Sequence, residues 1–486
     1  MTDLLAHEVS IADFNRRVAG EAGRGARLMM LFVEPDSDGP RLVAHLAVRG
    51  GGLLRLEVSL GERETSYPAL TPRVPAAHWY EREIHDLHGI EPEGHPRLEP
   101  LVRHQNGWER NGADGEPEHR GHKRLAGSGV FLIPYGPVRS GVFESVQYLV
   151  QTSGEDVAYC AQRLFFKRRG AERRIVEVPL EQAVLVAERV SGTSSVAHAL
   201  ACSQALEALA ETPAPPRATA IRSLLAELER LYNHNEAMVR ECEDASLSVA
   251  QASFAALKEQ LHRLMWMLTG NRFGRGAIVP GGVAVDLDAA MLGALGDRLA
   301  QWRSVFRADL AALRKTDSFL DRIVSAGPLS LEDARDFGCV GPVARGSGVD
   351  LDARRDLPYA AYGATDFKVP VERDGDAMAR MDVRFAEIES SLAIIDQLRR
   401  GMSGGETRVT LGPLRREHAL GWAESARGET LYHLRAADDR RLAFCKLRAA
   451  SFANFGIFNR VFDGQVLTDF GFIEHSLGLS PAGCDA

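Results

Sequence analysis

The sequence predicts an α+β protein in which a small N-terminal α/β domain precedes a large, mainly helical domain with peripheral antiparallel β-strands. The chain has 486 residues, more than a single typical hydrophobic core accommodates. The region 1–104 mixes short strand-like runs with helix-like ones, and the region from Val130 onward opens with strand-like segments and then becomes strongly helical. A polar segment between them contains almost no apolar anchor. We therefore predict domains at 1–104 and 127–486, joined by a polar linker at 105–126.

In the first domain, apolar and β-branched residues predict strands at 28–33, 41–48 and 53–58. A run of three glycines, Gly50 to Gly52, predicts the turn before the last of them. A helix then carries Glu81, Glu83 and Asp86 and ends before Gly89. A helix rich in carboxylates is a candidate docking edge; the alternative is a solvated helix that ends in structural turns.

In the second domain, strand-like segments begin near Val130, and apolar residues at helical spacing then predict helices at 216–240, 246–269, 287–321 and 377–400. The helix at 216–240 starts at a pair of prolines, and Gly270 is a plausible stop for the one after it. Such apolar stripes are typical of helix faces that form a core.

Composition excludes several classes of function. The net charge of −8 argues against nucleic acid as a partner. No apolar run approaches the length that spans a bilayer, and the first residues do not form a secretory signal. The six cysteines are scattered without a CxxC pair, so we expect neither an iron–sulfur cluster nor a structural zinc site in this chain. The same pattern favours a reducing compartment. We predict no metal ion and no cofactor bound by this chain.

Two segments resemble the large subunits of nickel–iron hydrogenases. The stretch 188–194 reads ERVSGTS, and the tail 476–485 reads SLGLSPAGCD. In those hydrogenases the corresponding segments carry four metal-binding cysteines, at positions that match Ser191, Ser194, Ser480 and Gly483 here. Soft metals of this type need anionic thiolates, which serine and glycine do not supply. The resemblance therefore implies the hydrogenase frame without the nickel–iron centre.

Other motifs resemble the C and D subunits of respiratory complex I. The run EREIHDLHGI at 81–90, followed by His95-Pro96, is similar to the C-subunit signature. The D-subunit resemblance covers nearly all of the second region; its quoted segments are 136–144, 166–172, 222–234, 271–273, 281–283, 341–376, 424–429 and 446–448. A fused C-plus-D chain is typical of the large subunit of formate hydrogenlyase and of energy-converting hydrogenases.

The resemblance implies a cavity at the junction with a partner subunit, and it gives five candidate site residues: Arg139, Glu144, Glu188, Arg189 and His198. Glu144 stands where relatives keep a carboxylate, a position suited to proton transfer. The tyrosine and histidine that meet quinone in complex I correspond to Gly192 and Arg139. A quinone at the partner interface is therefore possible but must be held by other groups.

We expect a subunit of a membrane-associated, complex I-like oxidoreductase that forms a quinone-type acceptor cavity without hydrogen chemistry. Its expected partners are an iron–sulfur small subunit, similar to the complex I B subunit, and the subunits of a membrane arm. The expected location is peripheral, on the cytoplasmic side of the cell membrane. The alternative is a redox-inactive subunit that keeps the fold for assembly or conformational coupling.

Overall fold

The computed structural model describes residues 4–48, 50, 52–61, 64–102, 125–127, 129–139, 144–437 and 440–486. The predicted polar linker at 105–126 lies outside these residues except for Leu125 and Ala126, and so do residues 140–143 of the motif that contains Glu144.

The N-terminal region forms a four-stranded sheet with the order β1-β4-β3-β2. Its first strand pairs in parallel with β4, and the remaining pairs are antiparallel. The elements in chain order are β1 (Leu4–Glu8), α1 (Ile11–Gly23), β2 (Arg27–Glu34), β3 (Arg41–Val48), β4 (Gly52–Ser59), β5 (Ser66–Pro68), α2 (His78–His88) and β6 (Glu91–Glu93). Strand β2 is buried along most of its length, so both of its faces are covered.

The larger region starts with the antiparallel sheet β7 (Val130–Tyr135), β8 (Gln147–Ser153) and β9 (Asp156–Arg163). Its first helices are α3 (Ala171–Glu177), α4 (Leu180–Ala187), α5 (Ser195–Leu209), α6 (Pro216–Asp244) and α7 (Ser248–Thr269). A short ladder, β10 (Ile278–Val279) with β11 (Gly282–Val283), follows. Next come α8 (Ala289–Leu313), α9 (Asp317–Ile323), α10 (Leu331–Asp336), α11 (Gly341–Gly346), α12 (Ala353–Asp356) and α13 (Ala377–Gly401).

The chain then forms a second antiparallel sheet of β12 (His418–Ser425), β13 (Gly428–Ala436) and β14 (Leu442–Arg448). The helices α14 (Ala450–Phe455), α15 (Phe470–Leu477) and α16 (Pro481–Cys484) complete the described fold. The prediction of an α+β protein with a large, mainly helical second region and peripheral antiparallel strands is confirmed. Among the described helices, none has the length and apolar character needed to cross a membrane.

The sheet of the N-terminal region packs against the sheet β12–β14. Phe32 of β2 stacks on Phe444 of β14, with ring centroids 5.8 Å apart. Ion pairs reinforce this contact: Arg27 Nη2 lies 2.7 Å from Glu429 Oε2, and Lys446 Nζ lies 2.7 Å from Glu83 Oε1. The two regions therefore share buried charge as well as apolar surface.

Carboxylates of α2 accept hydrogen bonds from backbone N–H groups of neighbouring loops. Glu81 is fully buried and accepts hydrogen bonds from the backbone N–H groups of Leu70 and Thr71, at 2.6 and 3.0 Å. Asp86 accepts bonds from two backbone N–H groups near residue 101, each at 2.7 Å. The expectation of a docking edge, and the alternative of a solvated helix, are both wrong for Glu81, because its carboxylate fixes the loop at 70–71.

A buried network of ion pairs joins α6 to the elements that follow it. Glu227 accepts bonds from Arg354 Nη1 at 3.1 Å and from Tyr362 Oη at 2.6 Å. Arg230 Nη1 lies 3.2 Å from Glu387 Oε2 on α13. Burial alone would raise the pKa of Glu227, but the charges of Arg354 and Arg230 hold it below its usual value.

The network continues through Arg345 on α11, which contacts Glu387 Oε1 at 2.5 Å and Glu424 Oε1 at 2.9 Å. Arg354 also contacts Asp352, at 2.6 Å. Burial, together with the nearby charge of Asp352, raises the pKa of Glu424 to about 7. Removing one member of such a network leaves an uncompensated buried charge, which typically costs about 3–5 kcal/mol.

One predicted helix differs from the structure. The pattern at 287–321 predicts a single helix, but the chain forms α8 and α9 with a break at 314–316. Thr316 has extended backbone dihedrals and stands at the N-terminal boundary of α9. The apolar spacing continues across the break, so periodicity alone does not reveal it.

All six cysteines are buried. Burial raises the pKa of the Cys202 and Cys242 thiols to about 12. In the folded chain these side chains are protonated at neutral pH and act as small apolar groups.

Helix α5 packs closely on β12, and Gly421 permits that approach. A Cβ atom at Gly421 would lie 2.1 Å from the Ala201 carbonyl oxygen and 2.6 Å from the Ala205 nitrogen. Both of these atoms belong to the helix backbone and cannot move without shifting the helix.

We expect Gly421→Ala to lower the free energy of unfolding by about 2 kcal/mol, because the added methyl group overpacks the junction of α5 and β12. The control is Gly293→Ala on α8, where an added Cβ meets no atom within 4 Å. That variant should gain about 0.5–1 kcal/mol, since alanine favours helix more than glycine does. Urea unfolding of the three proteins measures both changes. An unchanged midpoint for Gly421→Ala would contradict the close packing.

Candidate functional site

Two of the serines that the resemblance places at the positions of metal-binding cysteines contact each other. Ser191 lies in the loop between α4 and α5, and Ser480 immediately precedes α16. Their hydroxyl oxygens are 3.2 Å apart, and both side chains are buried. Ser480 Oγ also accepts a bond from the Gly483 backbone N–H at 3.3 Å. The loop and the tail that resemble hydrogenase segments therefore join here through hydroxyl groups.

Glu144, between β7 and β8, completes this contact. Its Oε2 atom accepts bonds from Ser480 Oγ at 2.9 Å and from the Ala482 backbone N–H at 2.7 Å. On the other side, Ser191 Oγ lies 3.0 Å from Thr193 Oγ1. A continuous series of hydrogen-bonding oxygens thus runs from Glu144 through the two serines to Thr193.

The tail is held in place by Arg169 and Asp485. The guanidinium of Arg169 donates to the carbonyl oxygens of Val190, at 2.5 Å, and of Ala482, at 2.7 Å. The carboxylate of Asp485 accepts the Phe165 backbone N–H at 2.7 Å. Burial raises the pKa of Asp485 to about 6, although its backbone hydrogen bonds and the charge of Arg169 oppose the shift. These bonds fix Ser480 relative to Glu144.

Glu144 and Thr193 face a cavity of about 180 Å³, which we call the Glu144 cavity. Its wall is strongly charged. The described residues that line it are Arg139, Glu144, Tyr148, Thr193, Asn233, His234, Glu236, Ala237, Arg240, Arg384, Ala426, Arg427, Glu474, His475, Gly478, Leu479 and Pro481.

Two arginines of this wall have no carboxylate within salt-bridge distance among the described residues. Arg427 donates to the Gly478 carbonyl oxygen at 2.6 Å and to Asn233 Oδ1 at 2.9 Å. Arg384 donates to the Arg380 carbonyl oxygen at 3.1 Å. Burial lowers the pKa of both guanidinium groups, that of Arg384 to about 10, at which Arg384 is charged at neutral pH. The cavity therefore offers hydrogen-bond donors to an oxygen atom that carries negative charge.

Arg139 and His234 are engaged by carboxylates. Arg139 Nη1 lies 2.8 Å from Glu474 Oε2, and Tyr148 donates its hydroxyl hydrogen to the other oxygen of Glu474 at 2.8 Å. His234 Nε2 lies 2.7 Å from Glu387 Oε2, which links the cavity wall to the buried ion network. Burial lowers the pKa of His234 to about 4 despite the charge of Glu387, so the ring is neutral.

Of the five residues predicted for the site, Arg139 and Glu144 lie in this wall and the other three lie elsewhere. Glu188 is buried, pairs with Arg189 and accepts the Gly276 N–H at 2.7 Å. The Arg189 side chain is exposed and lines a separate surface depression with Arg174.

His198, the remaining predicted residue, is buried on α5, with Nδ1 2.8 Å from Tyr432 Oη. Burial lowers its pKa to about 3. The described lining of the Glu144 cavity includes none of Glu188, Arg189 and His198.

At the four positions that the resemblance equates with metal-binding cysteines, the side chains offer only the hydroxyl oxygens of three serines, and Glu144 adds a carboxylate beside Ser480. A serine hydroxyl stays protonated at neutral pH, and the bond from Ser480 to Glu144 uses that proton. These groups do not fit a nickel–iron centre, which needs soft thiolates. The resemblance equates Gly192 with the quinone-binding tyrosine of complex I. A Cβ atom added at Gly192 would lie in ordinary contact with Arg275, 3.8 Å from its Nη2 atom.

Several wall residues were not predicted. Arg427 belongs to a quoted motif, 424–429, but the motif alone does not show that its guanidinium faces a cavity. Arg384 and Glu474 lie on the helices α13 and α15, in stretches without a recognisable motif. No signal in the sequence distinguishes their burial against the cavity from ordinary core packing.

Comparisons with known proteins agree with this architecture. The family model described as the respiratory-chain NADH dehydrogenase 30 Kd subunit matches residues 11–118, and the model of the 49 Kd subunit matches residues 246–416. Formate hydrogenlyase subunit 5 of Escherichia coli is 30% identical over 444 residues, which cover 87% of this chain and 77% of that protein.

Two further relatives show the same relationship. The carbon monoxide-induced hydrogenase of Rhodospirillum rubrum is 29% identical over 354 residues, 71% of this chain and 97% of that protein. The C/D subunit of the NADH-quinone oxidoreductase of Bdellovibrio bacteriovorus is 28% identical over 376 residues, 73% of this chain and 66% of that protein. The chain therefore belongs to the family of fused complex I 30-kDa and 49-kDa-like subunits that includes formate hydrogenlyase subunit 5.

Proposed function

We propose that this chain is a peripheral subunit of a membrane-associated, complex I-like oxidoreductase and that the Glu144 cavity binds the headgroup of a quinone-type electron acceptor. One observation carries the proposal: a carboxylate held by Ser480 faces a cavity whose wall also contains Arg384 and Arg427, neither paired with a carboxylate among the described residues. The names of relatives, which include an NADH-quinone oxidoreductase subunit, support the class of acceptor.

The chemistry of the wall suits a quinone headgroup. The two carbonyl oxygens of a quinone accept hydrogen bonds, and they gain negative charge as electrons arrive. Arg384 and Arg427 would donate to such an oxygen and stabilise that charge. The volume of about 180 Å³ has room for one ring but not for a long isoprenoid tail, which would extend outside the cavity.

Reduction of a quinone to a quinol consumes two electrons and two protons. We assign the delivery of a proton to Glu144, whose carboxylic acid would donate to the quinone oxygen and leave a carboxylate. The hydroxyls of Ser480, Ser191 and Thr193 form a series of hydrogen bonds that holds Glu144 and ends at Thr193 in the same cavity wall. The second proton of the quinol, and the proton that restores the acid of Glu144, would come from solvent that reaches the cavity. The electrons would come from an iron–sulfur partner subunit, because we propose no redox cofactor in this chain.

The residues that the resemblance equates with the quinone-binding groups of complex I lead us to propose a different arrangement here. Arg139 stands where that family has a histidine, and its guanidinium is paired with Glu474. Gly192 replaces the tyrosine. A headgroup here would therefore depend on Arg384 and Arg427, and the position of the ring would differ from that in complex I.

We also propose a location on the cytoplasmic side of the membrane, with membrane-arm subunits as further partners. The names of relatives support assembly with other chains, since two of them are themselves called subunits. Transfer of a proton in the Glu144 cavity would be the event coupled to ion movement in such an arm.

The hydroxyl donor set leads to a first prediction. The complex purified from native membranes should contain less than about 0.1 nickel per chain after chelation, because serine and glycine do not retain a soft metal. Elemental analysis of the purified complex measures the nickel content per chain. Stoichiometric nickel that is lost in a variant with Ser191→Ala and Ser480→Ala would contradict the proposal and indicate a metal centre of a different kind.

A second prediction concerns Glu144. Glu144→Gln should lower quinone turnover about 100-fold or more, because the amide can still accept the bonds from Ser480 and Ala482 but cannot deliver a proton. The measurement is quinone reduction by the purified complex, with its iron–sulfur clusters verified spectroscopically. The control is Glu181→Gln at an exposed position of α4, which should stay within about twofold of the parent turnover.

If Glu144→Gln retains the turnover of the parent complex, the carboxylate has no role in the reaction. If the intact parent complex reduces no quinone at all, the alternative of a redox-inactive subunit, kept for assembly or conformational coupling, is the better account.

A third prediction separates binding from proton delivery. Arg384→Gln should raise the KM for quinone about tenfold while changing kcat less, because it removes a charged donor worth about 1.5–3 kcal/mol. Arg400→Gln, an exposed position on the same helix, is the matched control and should leave KM unchanged. Arg384→Lys keeps the charge and should give an intermediate KM. A fall in kcat with an unchanged KM would place Arg384 outside the binding surface.

A further inference from the structure

A cluster of histidines and one glutamate lies where the N-terminal sheet meets the sheet β12–β14. Glu34 is the last residue of β2, and His45 belongs to β3. His418 and His433 belong to β12 and β13. Glu34, His45 and His433 are almost fully buried, and the His418 side chain is 13% exposed. Polar groups buried between two sheets need partners, so their arrangement is informative.

Three of these residues direct ligand atoms to one point. His433 Nε2 lies 3.3 Å from Glu34 Oε2, and His418 Nδ1 lies 3.7 Å from Glu34 Oε1. All three ligand atoms lie within 4.8 Å of one another. Ligands bound at about 2.0–2.1 Å in a tetrahedral zinc site are separated by about 3.4 Å. The two histidine–glutamate spacings of 3.3 and 3.7 Å are close to that separation.

The far nitrogens of both histidine rings are already occupied. His433 Nδ1 lies 3.0 Å from His45 Nε2, and His418 Nε2 lies 3.2 Å from Glu417 Oε1. Metal-binding histidines almost always use the second ring nitrogen in this way, which fixes the ring and leaves the first nitrogen as an acceptor. Among the described residues, His418 Nδ1 has no hydrogen-bond partner although it is buried.

The surrounding charges permit a cation. Glu34 Oε1 is 2.7 Å from Arg435 Nε, and Glu34 Oε2 is 3.8 Å from Arg55 Nη2. Each arginine has a second carboxylate: Arg55 Nη2 lies 2.5 Å from Glu57, and Arg435 Nη1 lies 3.7 Å from Asp36. Asp36 also pairs with Arg41. The described carboxylates around the cluster are Glu34, Asp36, Glu57 and Glu417, against the arginines Arg41, Arg55 and Arg435. With Glu34 included, four carboxylates stand against three arginines, so the arginines around a divalent ion bound to Glu34 are each matched by a carboxylate.

We propose that Glu34, His418 and His433 bind one divalent transition-metal ion of the zinc class and that this ion joins the N-terminal sheet to the sheet β12–β14. Two imidazoles and one carboxylate suit zinc and do not suit magnesium or calcium, which select oxygen ligands. His45 and Glu417 position the two rings, and a water molecule fills the fourth coordination place.

The site departs from the expectation that this chain binds no metal. That expectation rested on cysteine spacing, and these ligands contain no cysteine. Glu34 and His433 are 399 residues apart in the sequence, far beyond any ligand motif with short spacing. Only the packing of the two sheets brings them together.

The test uses the whole chain, stripped with a chelator and titrated with Zn²⁺ alone. Calorimetry with elemental analysis should find one Zn²⁺ per chain, and the temperature of unfolding should rise with Zn²⁺ concentration. Co²⁺ in place of Zn²⁺ should give visible absorption typical of four-coordinate cobalt without a thiolate band.

The variants assign the ligands. His433→Gln and His418→Gln should weaken Zn²⁺ binding about 100-fold or more, and His45→Gln about tenfold. His418→Gln is informative even if His433→Gln does not fold, because the His418 ring lies at the margin of the cluster. The control is His262→Gln on α7, whose ring contacts the Arg272 carbonyl oxygen; it should bind Zn²⁺ like the parent.

Equal Zn²⁺ affinity in the parent and in His418→Gln would overturn the assignment. Absence of stoichiometric binding by the folded parent would overturn the site, and would mean that Glu34 and His433 form only a hydrogen bond. A transition temperature that is indifferent to Zn²⁺ despite binding would overturn its role in joining the sheets.

Discussion

The buried ion network around α6 is the constraint on which the rest of the large region depends. Arg345 and Arg230 converge on Glu387, and Arg354 converges on Glu227, so that helices distant in sequence share one set of charges. These ion pairs form only while α6, α11, α12 and α13 keep their relative positions. His234 extends the network to the wall of the Glu144 cavity. The geometry of the cavity is therefore determined by charge pairing as well as by apolar packing.

Hydroxyl groups at the junction of loop and tail differ from thiolates in charge. Thiolates around a metal would concentrate negative charge at the junction of loop and tail. Serine hydroxyls are neutral, so Ser191 and Ser480 can contact each other and Glu144 without a cation between them. The contact joins the loop and the tail through neutral groups, beside a cavity whose wall contains both arginines and carboxylates.

The fold could largely be predicted from the sequence, and the site only in part. Helices such as α6 and α13 have boundaries close to those expected from apolar spacing, because each buries a continuous face. The break at Thr316 could not be predicted, since the apolar pattern continues across it. Glu144 was found through its motif, but Arg384 and Glu474 were not, because their role depends on how α13, α15 and the loop before β8 meet. Glu188 lies in a quoted motif and His198 a few residues beyond it, yet their side chains contact Gly276 and Tyr432 and do not line the cavity.

The burial of the cysteines has a consequence for how such a complex would respond to oxidative stress. All six thiols of this chain lie inside the described fold, away from water and in their protonated form. Oxidants and alkylating reagents attack thiolates that they can reach, so the native chain offers them no ready target. If the assembled complex lost activity on treatment with such reagents, the sensitive group would belong to another subunit. Conversely, labelling of these cysteines would report that this chain had opened.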